Sequence, residues 1–276
     1  MSLSVNTNAS ALIALQNLNT TNEKLSAVQN RISTGLKVQN AKDNASVWSI
    51  AQDQRADLGA LSAVKMSLDR ATSIAHVSMT AGESVSDLLI QVREKVVAAM
   101  DPSLDATSRS ALNADYKALL RQITQVTEAA TFDGANILNG SLSAGIRFLA
   151  NSDANSFVTL SIKTMSLGGT IVTLGAASSI GTVTTASTAM TALTASLDNV
   201  SAALGDIGAQ AKQIEAHNVF ISKLSDVLET GVGNLVDADI AKESARLQAL
   251  QVQQQLGAQA LSIANTTPQV ILSLFK

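Results

Sequence analysis

One stripe of small and aliphatic residues constrains the fold of this chain more than any other feature. It repeats every three and four positions for more than five heptads, which predicts a continuous helical face of the kind that forms a coiled-coil seam. Asp43 and Asn44 can cap this helix at its start, and Pro102 cannot continue it. At about 1.5 Å per residue such a helix would be roughly 80 Å long, too long for a small globule. The stripe consists of Leu61, Val64, Leu68, Ala71, Ala75, Ser78, Gly82, Val85, Leu89, Val92, Val96 and Ala99.

Two more helices are predicted in the same part of the chain. The shorter one starts at Ser103 or Asp105, ends near Phe132, and has an apolar face that includes Tyr116 and Ile123. The other carries a second long seam, which is long enough to lie along the first. These seams favour a bundle of three or more helices over an isolated pair, because their small residues let backbones approach closely. The second seam runs through Leu193, Leu197, Val200, Leu204, Ile207, Ala211, Ile214, Asn218, Ile221, Leu224 and Leu228.

The apolar period changes between residue 134 and about residue 190. Three short runs rich in β-branched residues, at 146–149, 157–162 and 170–174, are separated by Asn, Asp, Ser and Gly. This pattern predicts hairpin strands. The Ser/Thr/Ala-rich stretch at 176–191 is expected to form an exposed turn before the last long helix.

The two ends of the chain resemble each other in kind. Each has an amphipathic stripe, and each is bounded on its inner side by a predicted connector, at 33–42 and at 231–234. An isolated amphipathic helix buries too little apolar surface to offset its ordering entropy, so we expect both stripes to order only when covered. An apolar tail from Val270 to Phe275 follows the second stripe.

Composition excludes several classes of function. With no cysteine among 276 residues there is no disulfide framework, thiolate metal site or thiol nucleophile. A net charge of −3 leaves no basic excess for nucleic acid, and no apolar run is long enough for membrane insertion. No catalytic or cofactor-binding motif is present, and His76 and His217 have no companion ligands in the sequence. We therefore expect neither an enzyme nor a cofactor or metal, and the lack of a signal peptide by itself suggests the cytoplasm.

Motifs at both ends resemble those of bacterial flagellins, the subunits of the flagellar filament. The amino-terminal half has N-T-N at 6–8, R-I-S-T-G at 31–35 and A-K-D-N-A at 41–45. The carboxyl-terminal half has D-A-D-I-A-K-E at 237–243, Q-A-L at 259–261 and P-Q-V-I-L-S-L at 268–274. The resemblance implies a mainly α fold: a long antiparallel coiled-coil bundle with a small β-hairpin region and paired terminal helices. It further implies that residues 1–43 and 231–276 are the two halves of an inner tube, and that residues 44–230 form the surrounding bundle, with hairpins at about 134–190.

The resemblance also implies a function and a location. A flagellin polymerises head-to-tail into the extracellular filament used for swimming, and leaves the cell through the type III export apparatus without a cleaved signal peptide. Its expected partners are itself, other flagellin isoforms, the hook-filament junction protein, the filament cap and an export chaperone. A hook-filament junction protein of the same architecture is the alternative function. The expected polymer interface comprises Leu12, Leu15, Leu18, Leu25, Arg31, Ile32, Leu247, Leu250, Leu261, Ile271, Leu272 and Leu274. An intramolecular helix pair is the alternative for the leucines at 12, 15, 18, 261, 272 and 274.

Two further hypotheses concern the central part of the chain. Gly145, Phe148 and Phe157 are candidates for a switch between filament supercoils, with a static cap on the bundle as an equal alternative. Residues 90–95 resemble a run that an innate Toll-like receptor reads in many flagellins. Here Gln91, Arg93, Glu94 and Lys95 make a degenerate version of it, which predicts weak receptor activation.

Overall fold

The computed structural model describes residues 7–273, with the backbone alone for 267–273. The described part contains five helices: α1 (Ala9–Thr34), α2 (Ala45–Ala99), α3 (Ala106–Ala129), α4 (Val183–Val236) and α5 (Ile240–Ser273). Two strands, β1 (Ile146–Leu149) and β2 (Phe157–Leu160), lie between α3 and α4. The predicted mainly α fold with a small hairpin is confirmed. The chain forms two compact units, which we call the terminal unit (1–56 with 227–276) and the central unit (57–226).

The terminal unit is built on an antiparallel pair of α1 and α5. Its small core consists of Leu25, Val28 and Leu250, with Ile32 and Leu247 packed against it. The Asn8 side chain caps the start of α1 by accepting a hydrogen bond from the Ala11 amide at 3.1 Å. Gly35 ends α1 in the left-handed conformation, at φ 73°, which a residue with a Cβ adopts at a cost.

The second connector differs from its prediction. Residues 231–234, expected to be helix-poor, lie inside α4, which continues to Val236. Val232 and Val236 are buried, and the gain from burying them outweighs the roughly 1 kcal/mol that a helical glycine costs relative to alanine. The break falls instead at residues 237–239, where the Asp239 side chain caps α5 by accepting from the Lys242 amide at 3.1 Å.

Backbone hydrogen bonds join the segment that follows α1 to the segment between α4 and α5. The amide of Lys37 donates to the Val236 carbonyl at 2.6 Å, and the amide of Ala238 donates to the Gly35 carbonyl at 2.8 Å. A single antiparallel bridge joins Leu36 to Asp237. These bonds hold the end of α1 and the start of α5 together.

The central unit confirms the predicted seams. All twelve residues of the α2 stripe are buried, and so are most of those of the α4 seam. The two helices run antiparallel, since Met79 of α2 lies beside Gly208 of α4 while Asp69 contacts Asn218. They approach closely at Gly82, where an added Cβ would lie 2.7 Å from the Leu204 side chain.

The region between α3 and α4 departs from prediction in two places. β1 and β2 pair antiparallel, with Ile146 opposite Leu160, but the third predicted strand at 170–174 is a loop. The backbone of this loop forms hydrogen bonds with side chains of α4 and not with a neighbouring strand: the Thr173 amide donates to Ser196 Oγ at 3.0 Å. In addition, α4 starts at Val183, inside the stretch 176–191 that was predicted to be an exposed turn. Thr182 caps the helix there by accepting a hydrogen bond from the Thr185 amide.

Candidate assembly surface

The residues expected at a polymer interface fall into two groups. Leu12 and Leu15 are 62% and 43% exposed, which leaves them available to other molecules. Most of the others pack between α1 and α5 of the same chain, as the alternative of an intramolecular pair would have it. That second group contains Leu18, Leu25, Ile32, Leu247, Leu250 and Leu261. Ile271 and Leu272 lie in the part of α5 whose side chains are not described, and Leu274 lies outside the described residues.

The α1–α5 seam follows heptad spacing on both helices. The less exposed residues of α1 recur in threes and fours at Ala11, Ala14, Leu18, Thr21, Leu25, Val28 and Ile32. Those of α5 recur in the same way at Glu243, Leu247, Leu250, Gln254, Gly257, Leu261 and Ala264. We call these residues the seam positions. Heptad spacing of this kind keeps two helices in contact along their length.

Polar contacts between described residues also cross this seam. Asn8 Nδ2 donates to the Ala264 carbonyl at 2.8 Å, and Gln254 Nε2 donates to Asn22 Oδ1 at 2.7 Å. At the other end Arg31 forms an ion pair with Glu243, with 3.4 Å between the guanidinium nitrogen and Oε1. Arg31 was expected at the polymer interface, and the structure places it against α5 of its own chain. Polar seam residues align two helices axially because a shifted pairing would leave them unsatisfied.

Sequence reasoning missed a second set of exposed apolar residues. Ile13, Val252, Leu256 and Ile263 are all more than half exposed, on the same two helices. Their spacing is a usable signal: Leu256 and Ile263 are seven residues apart, and each comes one residue before a seam position. They were overlooked because the counted stripe was centred on the seam. Ile13, Leu256 and Ile263 flank the seam, and Val252 lies on the outer face of α5.

The candidate switch residues lie at the hairpin. Phe148 is buried, whereas Phe157 is partly exposed under the Arg147 guanidinium, which is 3.9 Å from the ring centroid. Gly145 lies against β2, and a Cβ there would be 2.9 Å from the Leu160 carbonyl oxygen. The hairpin is bonded to α2 and α4 through Ser67 Oγ, which accepts from the Leu149 amide, and His217 Nε2, 2.7 Å from the Ala150 carbonyl.

The residues of the degenerate receptor run lie on α2. Gln91, Arg93 and Glu94 are exposed, while Val92 is buried in the seam. Lys95 pairs with Asp115 of α3 at 2.8 Å. The lysine at this position is therefore engaged within the chain.

The titratable groups with shifted pKa values serve structural roles. Hydrogen bonds from Ser103 lower the pKa of Asp101, and bonds from Ser108 lower that of Asp105, which caps α3. Burial raises the pKa of Tyr116, an effect partly opposed by its 2.6 Å hydrogen bond with Ser178. Within residues 7–273 no three His, Cys, Asp or Glu side chains are grouped to hold a metal ion. None of the described helices is long and apolar enough to span a membrane.

Comparison with known proteins agrees with this arrangement. Residues 5–143 match the model of the bacterial flagellin N-terminal helical region, and residues 180–275 match that of the C-terminal helical region. The chain is 57% identical to flagellin FljJ of Caulobacter vibrioides, covering 100% of this chain and 99% of that protein. It is 38% identical to a flagellin of Brucella melitensis over 99% of each.

A solved structure supports the fold alone. A putative flagellar hook-associated protein from Vibrio parahaemolyticus aligns with a TM-score of 0.56 at 14% identity, covering 71% of this chain and 100% of that one. The family matches span both ends of the chain, and the relatives span nearly all of it. The chain therefore belongs to the bacterial flagellin family, and it is a structural subunit of the extracellular flagellar filament.

Proposed function

We propose that this subunit polymerises through its terminal unit, using the exposed apolar residues that flank the α1–α5 seam. The observation that carries the proposal is the exposure of Leu12, Leu15, Leu256 and Ile263 on two helices already paired with each other. Covering a half-exposed leucine or isoleucine contributes roughly 1 kcal/mol, so several per subunit drive association. A contact between two different surfaces of the subunit, repeated from copy to copy, is a head-to-tail interface, which builds an open helical polymer.

Assembly from seeds tests this interface. Purified monomer is added to sheared filaments, and the concentration of monomer left at equilibrium is measured. The double variant Leu12→Ala, Leu15→Ala is expected to raise that concentration about tenfold or more, since each truncation removes apolar contact. Met66→Ala is the matched control, because Met66 is 66% exposed in the central unit. Equal effects of the two changes would contradict the assignment, and failure of the unsubstituted monomer to elongate seeds would favour the junction-protein alternative.

Finer features of the function rest on the family. Residues 1–43 and 231–276 supply the inner tube and residues 44–230 the surrounding bundle, with α4 running across the second boundary. The subunit co-assembles with other isoforms and meets the junction protein, the cap and an export chaperone. It is exported by the type III route and has no catalytic role. The several flagellins of Caulobacter vibrioides among its relatives support co-assembly of isoforms.

The hairpin supplies the supercoil switch in this proposal. A methyl group at Gly145 meets the Leu160 carbonyl oxygen and has to displace β2, so Gly145→Ala is expected to change filament waveform. Gly175→Ala is the control, because a Cβ there has open space. Dark-field microscopy of swimming cells measures both. An unchanged waveform across a panel of hairpin variants would leave the static cap as the better account.

The exposed receptor run activates the innate receptor weakly. Gln91, Arg93 and Glu94 face solvent, but the run lacks the first basic residue and has Lys95 in place of leucine. A receptor reporter assay is expected to give a smaller response than a standard enteric flagellin at equal dose. A response of equal size would contradict this.

A further inference from the structure

The first of two distinct apolar surfaces on the terminal unit is a groove. It has a volume of about 370 Å³ and is lined by Ala11, Leu12, Leu15 and Leu261, with Thr7, Asn8 and Asn265 at its polar edge. Leu12, Leu15 and Asn265 each follow a seam position by one residue. In an antiparallel pair, residues that follow a seam position on either helix lie on the same side. The groove therefore occupies one side of the α1–α5 pair.

The second surface is a ridge on the opposite side of the same pair. Ile13, Leu256 and Ile263 each precede a seam position by one residue, which places all three on the side away from the groove. Their exposed fractions are 60%, 61% and 63%, so they project from the pair. We call these three residues the ridge.

Groove and ridge lie at the same level along the pair. Leu18 of α1 packs against Gly257 of α5, where an added Cβ would be 3.3 Å from Leu18 Cδ1. Continuing the antiparallel register from this contact brings Leu12, in the groove, level with Ile263, on the ridge. Two copies placed side by side therefore bring the groove of one to the ridge of the other with little axial shift.

The surrounding sequence carries no charge that would oppose such a contact. Residues 2–22 and residues 247–275 contain no Asp, Glu, Lys, Arg or His, although 15% of the chain is Asp, Glu, Lys or Arg. Burying an unpaired charge is costly, so a segment that is covered on two sides by other copies is expected to be free of charge. Amide and hydroxyl groups there can form hydrogen bonds with another copy.

We propose that the groove of one subunit receives the ridge of a second copy of the chain. The two surfaces differ in shape and lie on opposite sides, so the contact is heterologous: the subunit whose groove is filled keeps its ridge free, and the other subunit keeps its groove free. An interface of this kind repeats without closing unless its rotation happens to close a ring. The inference rests on the proposed polymerisation through the terminal unit, and adds which surface meets which.

Cross-linking between singly substituted copies tests the pairing. The natural chain has no cysteine, so introduced thiols report contacts without background. Leu15→Cys marks the groove and Ile263→Cys marks the ridge. The two variants are mixed, assembled on seeds and oxidised, and covalent dimers are counted by gel electrophoresis. Dimers are expected in the mixture and not in either variant assembled alone, because a disulfide requires Cα atoms within about 7 Å.

A matched control uses the outer face of α5. Gln259→Cys is exposed on the same helix and lies away from both the groove and the ridge. Mixed with Leu15→Cys, it is expected to give no dimers. Equal cross-linking by Gln259→Cys and Ile263→Cys would overturn the proposal, and so would dimers formed by Leu15→Cys alone, which require groove to face groove.

A second pair of variants leaves every apolar residue of the groove and ridge in place. Asn265→Cys lies at the groove edge, and Ala260→Cys precedes the seam residue Leu261, on the ridge side. This pair gives the answer if the first variants assemble poorly. Filaments that form normally without cross-links in either pair would overturn the groove-and-ridge contact while leaving polymerisation intact. Absence of filaments from the unsubstituted chain would instead contradict the proposed function itself.

Discussion

Arg109 is a charged residue that the central unit buries because it completes the end of α2. Its guanidinium donates to the carbonyls of Ala99, Asp101 and Leu104, at the helix end and in the turn that follows. The last carbonyls of a helix have no partner within it, and a buried one left unpaired is costly. These bonds give the guanidinium of a residue that is only 8% exposed three acceptors.

Removing this arginine is expected to destabilise the monomer. Arg109→Ala leaves three carbonyls without their donor and should lower the free energy of unfolding by about 2–4 kcal/mol. Urea unfolding followed by circular dichroism measures the change. Arg121→Ala, on the exposed face of the same helix, is the control and should stay within about 0.5 kcal/mol. A similar loss of stability in both variants would contradict the role of Arg109 in completing the end of α2.

Tyr116 is expected to make the stability of the folded chain fall as the pH becomes alkaline. Burial raises the pKa of its hydroxyl in the folded protein above the ordinary value of 10.0. Above that value the unfolded chain releases the proton more readily than the folded one, so stability falls as pH rises. Tyr116→Phe removes this dependence. We expect the variant to be less stable at pH 7, where it loses the bond to Ser178, and the gap to the natural chain to narrow above pH 10.

Thermal unfolding at several pH values between 7 and 11 checks this expectation. The difference between the two proteins is the quantity of interest, because it cancels every contribution that the two proteins share. A gap that stayed constant across the series would show that the tyrosine does not titrate with folding.

At the scale of elements, α4 shows how tertiary contacts extend a helix beyond its local signals. Gly231 and Gly233 predict a break, yet Val232 and Val236 are buried and the helix continues through all four. Gly231→Ala is therefore expected to stabilise the monomer by roughly 0.5–1 kcal/mol, since alanine favours a helix and a Cβ there has room, with Gln54 Oε1 at 3.8 Å.

Thermal unfolding of Gly231→Ala against Gly35→Ala tests this conclusion. Gly35 has a positive φ, so the same change at that position is expected to destabilise. Opposite signs for the two glycines would agree with one lying in a helix and the other at its end. A loss of stability at Gly231 would indicate that the chain bends there.

The long helices were predicted correctly from the sequence, whereas the strand predicted at 170–174 was wrong, and the difference has a physical reason. Period and length together distinguish a seam such as that of α2, whereas a short run such as 170–174 fits either a strand or a packed loop. The outcome depends on whether a strand partner or a side-chain partner satisfies its backbone. Here the side chains of Ser196 and Asn199 in α4 form hydrogen bonds with the backbone of this run, and no local sequence pattern predicts those partners.

At the scale of the whole molecule, the apolar character of the exposed surface determines how assembly responds to salt. The chain has a net charge of only −3, and residues 2–22 and 247–275, which carry the proposed contacts, contain no Asp, Glu, Lys, Arg or His. Sulfate, which is excluded from protein surfaces, strengthens burial of apolar area. We expect polymerisation to begin at a lower subunit concentration in sodium sulfate than in sodium chloride of equal ionic strength.

Light scattering during a concentration series measures this onset. Using equal ionic strength separates the effect of sulfate exclusion from the protein surface from the effect of charge screening, because screening is then the same in both salts. An onset that depended on ionic strength alone would mean that charged residues dominate the contact between subunits.

The sequence by itself determined the helical seams, the terminal motifs and the family, because periodicity and motif are local or repeat along the chain. Only the tertiary structure decided how the apolar residues of the ends are divided. Leu25 and Leu250 are buried within the subunit, while Leu12 and Ile263 remain exposed on opposite sides of the same pair. Periodicity marks a helical face but not what covers it. That depends on the register between α1 and α5, which the contacts at Leu18, Asn22 and Arg31 establish across more than two hundred residues of chain.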